Sequence, residues 1–99
     1  MLPPDQPVRI AERLVHRVIG DEVFVLMFDS RIHWLKNPTA KTLWQALVTA
    51  GPTGASPRTL AAALVSEFEV DLPTALADTV SFLTILQEKG LVDSKSAGP

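Results

Sequence analysis

The sequence predicts an α+β fold, a three-stranded antiparallel sheet followed by three helices. Two observations carry that reading. Between Leu14 and Leu35 the apolar residues come in short β-branched and aromatic runs, whereas from Asn37 onward they recur every three or four positions. Helix-start signals fall only in the second part, at Asn37-Pro38, Ser56-Pro57 and Asp71-Leu72-Pro73. Strands first and helices after them is the α+β order.

The ends frame one domain. MLPPDQ and SKSAGP are rich in Pro, Gly and small polar residues, which bury too little surface to offset their ordering entropy. A flexible arm is therefore expected over residues 1–12, a single domain over 13–93 and a flexible tail over 94–99.

Leu14–Ile19 (LVHRVI) and residues 23–28 (VFVLMF) flank Gly20-Asp21-Glu22, where Gly20 supplies the positive φ of a tight hairpin. Asp29-Ser30 then turns the chain into residues 31–35 and completes a meander. Its middle strand is apolar on both sides: Val23, Val25 and Met27 face one way, Phe24, Leu26 and Phe28 the other. Three helices can cover only one of these faces. The second is either part-exposed, covered by the arm around Val8 and Ile10, or a surface for self-association, so a homodimer is among the expected states.

In the first helix Leu43, Trp44 and Leu47 recur at core spacing until Gly51-Pro52 ends the run; in the second, Leu60, Ala63, Leu64 and Phe68 share a side. The third helix is closed by Gly90. Its wheel places Leu72, Leu76, Val80, Leu83 and Leu86 on a core stripe with Thr79 among them, and beside it a line of Ala75, Asp78, Phe82, Ile85 and Lys89. Phe82 and Ile85 either pack under the sheet or line a groove beside residues 31–35. A short link between the second and third helices, then apolar Leu91-Val92 after the glycine, outlines a winged helix-turn-helix.

Composition excludes several function classes. A chain of 99 residues with 46% hydrophobic residues builds one real core. The longest apolar run is far shorter than the roughly 20 residues a membrane helix needs, and the start lacks the parts of a signal peptide. A cytoplasmic protein without membrane attachment is expected. Without cysteine there is no disulfide, thiolate ligand or thiol nucleophile. The net charge of -2 lacks the basic surplus of a nucleic-acid binder. From Ser66 to Glu88 there is no basic residue, so a third helix in a DNA groove would bring only Glu67, Glu69, Asp71, Asp78 and Glu88 towards phosphates. His16 and His33 fall on separate strands with no paired ligand motif. Neither a glycine-rich phosphate loop nor a nucleophile elbow is present, so no catalytic residue, metal or cofactor is expected.

The order of elements, with "LKNPTAKTLWQAL" followed by "SPRTLAAALVSEFEVDLPTALADTVSFLTILQEKGLV", resembles the PqqD family, small winged-helix modules also called RiPP recognition elements. The carriers are the Asn-x-Thr-Ala-x-x-Leu-Trp stretch at Asn37 to Trp44, "EFEVD" before the third helix and "FLTILQEKGLV" at its end, within residues 13–92. The resemblance implies a peptide-binding chaperone. Such proteins hold the leader of a ribosomally made precursor peptide as an added strand and present the core to a tailoring enzyme, often a radical SAM maturase. By position, the leader would lie along Arg31, Ile32, His33, Trp34 and Leu35, beside a helical flank of Asp78, Phe82 and Ile85. The chain departs from the founding pattern at "FDSRIHW", which lacks a Pro-Glu-Gly turn, and at Lys36, an extra residue before the Asn; the module is implied more firmly than the pyrroloquinoline quinone pathway. The alternative is a homo-oligomerising structural or regulatory winged-helix protein without peptide cargo.

Overall fold

The computed structural model describes residues 3–12, 14–27 and 30–94. The chain runs β1 (Val8–Ile10), β2 (Leu14–Ile19), β3 (Glu22–Met27), β4 (Ile32–Leu35), α1 (Pro38–Ala50), α2 (Pro57–Glu67), α3 (Leu72–Glu88) and β5 (Val92–Ser94). β2, β3 and β4 form the expected antiparallel meander with β3 in the middle. Gly20 makes the first turn at φ 60°, a left-handed conformation that costs glycine little. Phe28, expected on the outer face of β3, lies outside the described residues.

All three helix starts form as the sequence predicts. Asn37, Ser56 and Asp71 accept hydrogen bonds from the backbone N–H of Ala40, Thr59 and Thr74 at 2.8, 3.2 and 2.9 Å. Each satisfies one donor that the first helical turn leaves open. The side-chain and backbone hydrogen bonds from Thr74 hold the Asp71 carboxyl below its ordinary value.

A second, two-stranded sheet was not anticipated. β1 pairs antiparallel with β5, Arg9 opposite Asp93 and Ile10 opposite Val92. Val8 is fully buried and exchanges two backbone hydrogen bonds with Ala55, both 2.9 Å. Gly54 permits this approach: a Cβ there would stand 2.7 Å from the Val8 carbonyl oxygen. The arm expected over residues 1–12 thus contains a packed strand. It is tied down further where Arg58 donates its N–H to the Pro4 carbonyl and its Nε to Asp5, both at 2.9 Å. The hydrogen bond and charge of Asp5 raise the guanidinium pKa above its usual value. Ser94 closes β5, and the rest of the expected tail lies outside the described residues.

The core lies between the helices and one face of the meander. Leu43, Trp44 and Leu47 of α1 meet Val23 and Val25 of β3, with Leu60 and Leu64 of α2 and Leu83 and Leu86 of α3 completing it. The expected stripe of α3 is rotated. Ala75, Thr79, Leu83 and Leu86 are buried, whereas Leu72 is 42% exposed and Leu76 and Val80 are half-buried beside Pro4 and Pro73. A wheel weighted by hydrophobicity turns the largest side chains inward, but α3 packs on α2, where Ala61 is also fully buried. Small residues on both helices let the axes approach, and the larger ones are displaced to the flank. For the same reason Ala61, not Ala63, lies fully inside on α2, and Phe68 is left 37% exposed just beyond the helix.

Candidate functional site

β4 is an edge strand, bonded to β3 on one side. Its main-chain directions follow from one hydrogen bond: Met27 N–H donates to the Arg31 carbonyl at 2.9 Å. In an antiparallel pair the bonding alternates, so Arg31 turns its carbonyl, and His33 and Leu35 their amides and carbonyls, to β3, while the Met27 carbonyl accepts from the Ser30 N–H at 3.0 Å. Ile32 and Trp34 turn theirs to the other side, where no described strand lies. The edge therefore presents two N–H donors and two C=O acceptors in strand geometry.

Side chains divide in the same alternation. Ile32 and Trp34 point to the outer face of the sheet, 68% and 49% exposed, and Trp34 stacks on Phe24 of β3 at 5.2 Å between ring centroids. His33 and Leu35 are half-buried on the inner side, opposite Val25 and Val23. There they meet the last turns of α3 in a cleft of about 380 Å³, lined from the helix by Phe82, Ile85, Leu86 and Lys89. Phe82 is half-buried and also packs against the core, while Ile85 is 50% exposed. An apolar wall thus stands next to an open strand edge.

The structure brings together His33, Trp34, Leu35, Phe82 and Ile85, five of the eight residues that the resemblance singles out. Ile32 contributes its backbone to the edge. Arg31, just before β4, and Asp78, exposed on α3, do not line the cleft. Sequence reasoning missed Lys36, Asn37, Ala40, Leu86 and Lys89, which do. Lys36, the extra residue before the helix cap, lays its ammonium 3.9 Å from the centre of the Trp34 ring. Spacing on the wheel gave a signal only for Lys89, which falls in line with Phe82 and Ile85.

The histidines do not form a ligand pair. His16 and His33 flank Val25 from opposite sides, and His16 sits edge-on to Trp44 at 5.5 Å. Among the described residues no three His, Cys, Asp or Glu side chains are grouped to hold a metal. No described helix is long and apolar enough to cross a membrane.

Two solved structures share this architecture. The chain is 26% identical to TbiB1, solved in complex with the TbiA(beta) leader peptide, with a TM-score of 0.77 over 89% of this chain and 98% of that one. It is 25% identical to a lasso peptide synthetase B1 complexed with its leader peptide, with a TM-score of 0.71 over 88% and 98% of the two chains. No curated protein matches the sequence. The family model for coenzyme PQQ synthesis protein D (PqqD) matches residues 22–92, from the first residue of β3 to the first of β5. With the meander's middle and edge strands, all three helices and the cleft between them inside that match, the chain belongs to the PqqD family.

Proposed function

We propose that this chain is a leader-peptide recognition element, which takes the leader of a ribosomally made precursor as an added strand on β4 and presents it to a tailoring enzyme in the cytoplasm. The carrying observation is the open main-chain edge at Ile32 and Trp34 beside the apolar cleft of Phe82 and Ile85. Both similar solved structures hold a leader peptide, which supports the same reading. The chain acts as a binding partner, and the chemistry belongs to the enzyme it serves.

Magnitudes assign the roles of backbone and side chain. Each added backbone hydrogen bond contributes about 0.5 to 1.5 kcal/mol, while ordering the peptide costs about 1 to 2 kcal/mol per residue. Main-chain pairing therefore sets register and direction but supplies little net affinity. Affinity comes from alternate side chains of the peptide that enter the cleft, each contributing about 1.5 to 3 kcal/mol on burial. Three such anchors near the upper end of that range give about -8 kcal/mol, a micromolar complex that can still release its cargo. Lys36 and Lys89 at the cleft favour an acidic residue beside those anchors.

The test is calorimetry and amide chemical-shift mapping with the leader segment of a short precursor encoded beside this chain. Binding should shift the amides of Ile32 and Trp34 most strongly among the strands. Shifts confined to the helices, or no binding at high micromolar peptide, would overturn the reading.

A further inference from the structure

The outer face of the meander has no covering element among the described residues. Val15 and Ile19 of β2, Phe24 and Leu26 of β3, and Ile32 and Trp34 of β4 lie on it in cross-strand rows, Val15 with Leu26 and Ile32, and Phe24 with Trp34. Five of the six are 43% to 68% exposed. Between Val15, Ile19, Phe24, Leu26 and Ile32 lies a hollow of about 380 Å³. β1, the one segment expected to cover this face, is paired with β5 instead.

We propose that this face joins two copies of the chain, sheet against sheet, as a reversible dimer with the helices outside. The area argues for a copy. With five large apolar residues about half exposed, the face presents about 500 to 600 Å² of apolar surface, the upper end of what a monomer shows. Two such faces together bury about 1,000 to 1,200 Å², the lower limit for a specific interface. That is enough for a dimer that forms and dissociates and too little for an obligate one. The shape fits as well, because twisted sheets with apolar faces pack about 10 Å apart with their side chains interdigitated.

Charge does not oppose the contact. Alternation along the strands places Arg17 and Glu22 on the same face, and Lys36 lays its ammonium over the Trp34 ring at one edge of it, so the face carries both signs and can be apposed with itself without pairing like charges. Arg17 lies on the edge strand, where its long stem lets the guanidinium reach water. The assembly does not rest on the peptide reading, since the backbone groups of Ile32 and Trp34 point along the sheet plane and stay open.

Sedimentation equilibrium on the full chain, from about 10 μM to about 1 mM, spans the range in which so small an interface fills. A monomer–dimer equilibrium is expected, with a blue shift of Trp34 emission as the dimer forms. Leu26→Glu should raise the dissociation constant about tenfold or more by placing an unpaired carboxylate in the contact. Ile19→Glu, at the end of β2, should do the same and serves if the mid-strand variant does not fold, which circular dichroism melts will show. Val65→Glu, on an equally exposed valine of α2, should leave the equilibrium unchanged. A strict monomer at the highest concentration overturns the proposal and leaves the face to a partner of another kind. So does a dimer that survives both sheet variants or is lost in Val65→Glu.

Discussion

The two faces of β3 carry the same kind of residue and have different fates. Val23 and Val25 are fully buried under α1, whereas Phe24 is half-buried and Leu26 is 43% exposed. Nothing in composition separates them. What separates them is which side the helices pack on, and a one-residue shift in strand register would exchange the two sets. An apolar side chain thus stabilises the fold on one face and remains available for contacts on the other.

The largest break in that comparison is expected beneath the inner face. Trp44→Ala should cost about 3 to 5 kcal/mol, while Leu26→Ala on the outer face should cost about 1 kcal/mol or less. Chemical denaturation of the two variants measures both; equal losses would mean that the outer face is buried too.

A second contrast lies within β4, between neighbours that point opposite ways. Ile32→Pro removes a donor from the open edge, so the domain should fold and peptide binding should fall below detection. His33→Pro removes a donor from the bonds to β3 and should lower the melting temperature sharply. If calorimetry shows that Ile32→Pro binds a leader peptide as the parent does, strand addition is not the mechanism.

Ile85 sharpens the comparison on the helix side. It is 50% exposed on the cleft, so Ile85→Ala should weaken peptide binding by about tenfold while changing stability little. A large loss of stability with unchanged affinity would return Ile85 to the core.

The smallest effect concerns the cap of α3. The Asp71 carboxyl is held below its ordinary value in the folded chain, so its stabilisation is fully present above about pH 4 and is lost as the pH falls through the lower, folded value. Asp71→Asn keeps a capping oxygen but does not titrate. The melting temperatures of parent and variant should converge in that acid window, and a constant difference down to pH 2 would remove the carboxylate from the account.

Local chemistry was legible wherever neighbours in sequence settle it. Asn37, Ser56 and Asp71 cap their helices with bonds three residues away, Gly20 turns its hairpin, and Leu43, Trp44 and Leu47 face inward on α1. The cleft was half legible: Phe82 and Ile85 stood out by spacing, but Lys36 and Leu86 join it only because β4 and α3 meet.

By itself the sequence determined the three segments of the meander, the three helices with their starts, and the apolar character of both sides of β3, because these depend on backbone preferences and periodicity over a few residues. Only the tertiary structure decided the rest. β1 and β5 are three residues each at opposite ends of the chain, too short for a local signature, and become strands by finding each other. Ala75 and Thr79 enter the core ahead of Leu72 and Leu76 because two helices approach closely on small residues. The open edge at Ile32 and Trp34 likewise exists because β4 pairs with β3 in one register, and the direction of a backbone amide is set by its partner strand, not by its own side chain.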